Sequence, residues 1–246
     1  MDNNGDIEVV ISTIAGYNGS QFVGELNVFN HDGSLVPGWP RSTSSALLSP
    51  PVLADMDQND GGRLEIIQAG ADGRLYVFND DGTIVAGWPR ILGSEFGLNF
   101  PAIADIDNNG DLEIVIIADN NQIYVLNHDG TILPGWPKWN YWHSFPLIAD
   151  LDGNGFKEII TNTWAASGSP EIYVYKYDGV IFNGFPKFTS HPLSLIVDDV
   201  NGNGLIDLFG VDHLGNTYTW EFTGQATPQN LPWPMARHDA QNTGKY

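Results

Sequence analysis

Three short motifs recur in step along this 246-residue chain, and their common phase constrains the fold more than any other feature. The first is an acidic loop whose last carboxylate falls at Glu8, Glu65, Glu113, Glu158 and Asp207. The second is a turn pair, Asp32-Gly33, Asp81-Gly82, Asp129-Gly130 and Asp178-Gly179. The third is Gly38-Trp39-Pro40, repeated as Gly87-Trp88-Pro89, Gly135-Trp136-Pro137 and Gly184-Phe185-Pro186, with Pro232-Trp233-Pro234 read as a worn fifth copy. Chance does not hold three markers in one order at one spacing. A period of roughly 49 residues belongs to solenoids and propellers, where each unit buries its apolar face only against its neighbours.

Local periodicity chooses strand over helix. In the stretch 100–137, Leu112, Ile114 and Ile116 alternate with Glu113, Val115 and Ile117, a β-branched run suited to a sheet packed on both faces. Gln122 to Leu126 then leads into a His-Asp-Gly turn, the signature of a hairpin. Pro and Gly punctuate the chain too closely for a long helix. Each repeat therefore offers four short strands, one before the acidic loop, one after it, one before Asp-Gly and one at Gly-Trp-Pro. The expected fold is all-β, a β-propeller of four-stranded antiparallel blades. About five blades are visible, over residues 1–40, 46–90, 98–138, 144–187 and 192–234, with a polar tail at 235–246. They read as one domain, either closed on itself or a piece of a larger ring. The first blade lacks its first strand.

Thirty acidic against ten basic residues give a formal net charge of −20. Nucleic acid and anionic membrane surfaces are poor partners for such a chain, whereas clustered acids attract cations. No apolar run is long enough to enter a membrane as a helix. There is no cysteine, so stiffening has to come from something other than disulfides. Met1 is followed at once by the middle of an acidic loop, and the expectation is a truncated N-terminus.

The acidic loops have the spacing of calcium sites: side-chain oxygens at positions 1, 3 and 5, a carbonyl at 7, a carboxylate at 9 and glycine at the bend. The third repeat supplies Asp105, Asp107, Asn109, the carbonyl of Asp111, and Glu113. The fourth supplies Asp150, Asp152, Asn154, the carbonyl of Phe156, and Glu158. In the fifth the set is Asp199, Asn201, Asn203, the carbonyl of Leu205, and Asp207. The first keeps Asp2, Asn4, the carbonyl of Asp6, and Glu8 but has no position 1. The second has Asp55, Asp57 and Glu65 with two additional residues between them, and either Asn59 or Asp60 as the middle ligand. Two carboxylates 4 Å apart repel by about 4 kcal/mol at an effective dielectric of 20, and a divalent cation reverses the sign. Oxygen-only ligation favours several structural Ca²⁺ ions over zinc or copper. The competing reading, plain acidic turns, does not account for carboxylates recurring at 1, 3 and 9.

A loop of the form Asp-x-Asp-x-Asn-Gly-x-x-Glu between the first two blade strands, repeated through the chain, resembles the FG-GAP/VCBS repeats of integrin α-subunit propellers and of many secreted bacterial proteins. That resemblance implies a calcium-binding propeller at the cell surface or outside the cell, serving adhesion or recognition. Seven blades are common in those families, and five are visible here.

Variable insertions are expected on the face opposite the calcium loops. Tyr17 and Phe22 lie in a long loop, Thr13–Gly24, of the first repeat. Trp139, Tyr141, Trp142 and His143 enter the fourth, which also carries Trp164. Aromatics beside Asn and His suit stacking on sugar rings or anchoring a protein partner. Trp39, Trp88 and Trp136 hold a repeated position and are assigned to blade packing. No HExxH, GxSxG or phosphate-loop motif is present, and no cysteine nucleophile is available. The expected function is a non-catalytic recognition or adhesion module for carbohydrate or protein. The alternative is a catalytic or ancillary domain of an extracellular polysaccharide-degrading enzyme.

Overall fold

Among the described residues, the apolar runs flanked by glycine turns form eighteen strands in five antiparallel sheets, with no helix. The computed structural model describes residues 7–47, 49–56, 62–93, 100–140, 145–164 and 169–235. Blade one holds β1 (Val9–Tyr17), β2 (Phe22–Phe29) and β3 (Arg41–Thr43). Blade two holds β4 (Val52–Ala54), β5 (Glu65–Ala69), β6 (Arg74–Phe78) and β7 (Arg90–Ile91). Blade three holds β8 (Ala102–Ala104), β9 (Glu113–Ala118), β10 (Gln122–Asn127) and β11 (Lys138–Trp139). Blade four holds β12 (Leu147–Ala149), β13 (Glu158–Trp164), β14 (Pro170–Tyr175) and β15 (Lys187–Phe188). Blade five holds β16 (Ser194–Asp198), β17 (Leu205–Val211) and β18 (Thr217–Gln225). Within every sheet the strands pair in chain order.

The all-β expectation holds, and among the described residues blade one lacks the strand that β4, β8, β12 and β16 supply elsewhere. Strand β9 is buried along its whole length, as β-branched residues on both faces require. Apolar clusters join blades one and two, then two to four, then four and five, and none joins five to one among the described residues.

Two expectations need correction. Thr13–Gly24 is not a loop: β1 and β2 pair from Val9↔Phe29 out to Tyr17↔Phe22, with a bulge between Ile14 and Gly16. The Asn18 carboxamide accepts the amides of Ser20 and Gln21, so a tight Asx turn closes the hairpin where glycines had looked like an open loop. Nor is Pro232-Trp233-Pro234 a fifth outer strand. It returns to the inner edge of blade four, where Trp233 exchanges backbone hydrogen bonds with Ile148 and is 1% exposed. The Pro234 carbonyl accepts from Val197 of β16, so this return segment ties blade five to blade four from inside.

Between the outer strands the repeated Gly-Trp-Pro builds a clasp. Trp39, Trp88 and Trp136 donate Nε1–H to the carbonyls of Asp80, His128 and Tyr177, at 2.8, 3.0 and 2.8 Å, each in the next blade. A Cβ on Gly38, Gly87 or Gly135 would collide with the carbonyl of Asp81, Asp129 or Asp178 in that blade's Asp-Gly turn. Arg41 and Arg90 reach over to the same carbonyls of Asp81 and Asp129, and Lys138 lies along Gly179. The three tryptophans are thus packing residues, as expected. The fourth copy differs because its neighbour differs. Glu221 pairs with Asp207 as Asn127 pairs with Glu113, but β18 runs on through a bulge to Gln225, which pairs with Leu205, where β10 turns at Asp129-Gly130. With no turn to receive a donor, Phe185 stands in place of tryptophan and stacks on Phe222, ring centres 6.0 Å apart.

Candidate metal centres

Each acidic loop connects the inner strand of a blade to the next, so its first and last carboxylates sit at the ends of two paired strands. In blade three Ala104↔Glu113 closes the β8–β9 pair, and in blade four Ala149↔Glu158 closes β12–β13. The last carboxylate has a divided task. Glu113 Oε2 accepts the amide of Ile106 at 2.7 Å, and Glu158 Oε2 that of Leu151 at 2.8 Å. Glu65 does the same for Met56 and Asp207 for Val200. One oxygen thereby caps the loop and the other faces its interior.

Position 1 folds the bend. Asp105 accepts the amides of Asn109 and Gly110, Asp150 those of Asn154 and Gly155, and Asp199 those of Asn203 and Gly204. The position-5 carboxamides of Asn109, Asn154 and Asn203 accept the amides of Asp111, Phe156 and Leu205. Gly110, Gly155 and Gly204 all hold positive φ, at 95°, 95° and 85°, which only glycine adopts without strain.

Two sets of carboxylates converge. Asp105, Asp107 and Glu113 present oxygens all within 4.8 Å of one another, and so do Asp150, Asp152 and Glu158. Glu113, Glu158 and Asp150 are buried. Burial pushes Glu113 up to about 8, with Asp107 and Asp105 adding to the effect against the favourable Ile106 amide. Burial does the same to Glu158, also reaching about 8, with Asp152 and Asp150 contributing. Glu113 Oε1 and Asp107 Oδ1 are buried without a hydrogen-bond partner, as is Asp207 Oδ1 in blade five. Hard oxygen donors left unsatisfied at a point of mutual repulsion fit a divalent cation. These two acidic clusters could hold metal ions.

The remaining sets are less complete. Blade five brings Asp199, Asn201, Asn203 and Asp207 onto one loop, but Asn201 and Asn203 also donate to Glu221 of β18. In blade two, Asp55 and Glu65 flank the loop, while Asp57, Asn59 and Asp60 lie outside the described residues. Of the first set only Glu8 is described; Asp2, Asn4 and Asp6 are not. Three contacts were not legible beforehand. Lys157 lies 3.9 Å from Asp150, and its backbone amide donates to Ile106 of the neighbouring loop. The Phe156 ring stacks on Tyr177 at 4.4 Å.

The aromatic candidates do not form one patch. Tyr17 and Phe22 are exposed and meet edge to face at the β1–β2 hairpin tip, rings 5.5 Å apart. Trp139, exposed on β11, pairs in backbone register with Gln122, and Trp164 ends β13 opposite Pro170. All four lie at sheet ends remote from the acidic loops, but in three different blades. Tyr141, Trp142 and His143 fall outside the described residues.

Solved structures share the architecture. BamB from Moraxella catarrhalis superposes with a TM-score of 0.50 at 12% identity, over 91% of this chain and 63% of that one. BBS1N, solved in complex with ARL6DN, gives 0.54 at 12% identity, over 89% and 62%. The fold is that of a β-propeller. The chain spans less than two thirds of the length of either propeller. No protein-family model matches the sequence, and no curated protein matches it.

Proposed function

We propose that this propeller is a calcium-stabilised, non-catalytic recognition module of the FG-GAP/VCBS kind, acting on carbohydrate or protein at the cell surface or outside the cell. The observation that carries the reading is the pair of carboxylate triads, Asp105–Asp107–Glu113 and Asp150–Asp152–Glu158, each with its glutamate buried, which repeat one donor pattern in adjacent blades. A calcium ion bound there would supply the positive charge that keeps all three carboxylates ionised. Asp105 and Asp150 then fix the bend, Glu113 and Glu158 anchor it to the second strand, and the amides of Ile106 and Leu151 hold those carboxylates in position. Such a site is closed and local, suited to bracing a loop rather than to turnover.

Calorimetry of the protein in millimolar calcium and in EGTA tests the reading. Calcium should raise Tm, by about 2.7 kcal/mol of stability for each site held at roughly a hundredfold excess over its Kd. A Tm that does not respond to the chelator overturns it.

A further inference from the structure

We propose that the cleft between blades four and five binds a neutral saccharide, with Trp220 as its stacking platform. The inference rests on the recognition-module reading and gives it a site and a ligand class. At the three preceding joints the space beside the outer strand is taken up by the next blade's Asp-Gly turn, gripped by Gly-Trp-Pro and a basic residue. Here β18 bulges but continues as a strand to Gln225, with Thr223-Gly224 standing where the turn would be, and its end lies against the blade-four loop: the Gly224 amide donates to the Leu151 carbonyl at 2.8 Å. A cleft of about 310 Å³ remains, lined by Phe185, Lys187, Asn183, Trp220, Glu221 and Phe222 among others. That is the lower end of the range for small-molecule sites.

Its chemistry is mixed in a specific way. Phe185 and Phe222 stack on each other, and Trp220 stacks on Tyr218 at 6.0 Å. The Lys187 ammonium sits 5.5 Å from the Phe185 ring centre and forms no ion pair among the described residues, in a chain with thirty acids. Its counterparts Arg41 and Arg90 meet a carbonyl at this point. Across the cleft, Glu221 is held by the carboxamides of Asn201 and Asn203 at 3.3 and 2.5 Å. An anionic ligand would meet Glu221 and the net charge of −20, and a cation would meet Lys187. A pyranose satisfies both, because its hydroxyls donate to the carboxylate and accept from the ammonium while its C–H face lies on an indole. Asn201 and Asn203 also belong to the blade-five acidic loop, so the carboxylate that meets the sugar is oriented by a candidate calcium site.

Titration of the full chain with cellopentaose, mannopentaose and xylopentaose, with a galacturonic acid pentamer as charged comparator, tests this by calorimetry and tryptophan fluorescence. At least one neutral pentaose should bind, and Trp220→Ala should weaken it by about tenfold or more, the loss of one aromatic contact. Lys187→Ala, at a half-exposed position, should weaken it severalfold with Tm unchanged, which separates a lost site from a lost fold. No binding by any neutral pentaose, preference for the uronate, or affinity unaltered in both variants would overturn the proposal. If EGTA leaves Tm unmoved while Trp220→Ala still abolishes binding, the calcium reading fails and the cleft stands.

Discussion

Stripped of the proposed calcium, this acidic protein should show an inverted pH dependence of stability. Glu113 and Glu158 are each pushed up to about 8 in the folded chain, against an ordinary value of 4.5. Between those limits the unfolded chain has released both protons and the folded chain still holds them. Folding therefore takes up protons, and stability present near pH 4.5 is lost progressively as pH rises towards 8. Each group contributes a slope of up to about 1.4 kcal/mol per pH unit, so the two together approach about 3 kcal/mol. For a chain of this size that is a fall in Tm of roughly 5–10 °C per unit at most. The turn aspartates do not blur the window. Asp32, Asp81 and Asp129 are held low, chiefly by the hydroxyls of Ser34, Thr83 and Thr131, so the stability they add is lost only below the ordinary aspartate range. Scanning calorimetry in EGTA from pH 5 to 7.5 should show Tm falling, and saturating calcium should flatten the curve. A chelated protein whose Tm is constant or climbs over that interval would refute the charge argument.

Glu158→Gln should lower the calcium stoichiometry by one in titration calorimetry, and at pH 8 in EGTA the variant should melt above the unsubstituted protein, because a neutral amide removes the repulsion with Asp150 and Asp152. Trp136→Phe forfeits the bond to Tyr177 and should cost about 1–2 kcal/mol by denaturant titration, whereas Phe185→Trp, facing no turn, should gain nothing. Gly135→Ala and Gly184→Ala share the strain of positive φ, but only the first collides with a neighbouring carbonyl. Gly135→Ala should be the more damaging by about 1–3 kcal/mol.

Much of the architecture was legible because each blade repeats its instructions. The alternation through Leu112–Ile117, the Asp-Gly pairs and the Gly-Trp-Pro copies give strand, turn and joint independently, and three signals in phase outweigh the ambiguity of any one. The convergence of Asp105, Asp107 and Glu113, and of Asp150, Asp152 and Glu158, was legible for the same reason. What failed was local. Asn18-Gly19 reads as open loop until an Asx turn is seen closing a long hairpin, and Pro232-Trp233-Pro234 carries the composition of a joint but pairs with Ile148 instead. Trp220 and Glu221 had no motif to mark them, since their setting arises from the absence of a turn in β18. One signal was present and unread: Arg41, Arg90, Lys138 and Lys187 follow the proline in all four copies of the joint.

Every indole latch points the same way, from an earlier module to a later one. No module is secured until its successor has folded, so order should spread along the polypeptide as it is synthesised. At the last joint the direction reverses: the segment after β18 doubles back to the inner edge of blade four and fastens from within. A pull on the C-terminus would strip that inner strap before loading any rim latch, which makes the fifth module the first to detach under tension.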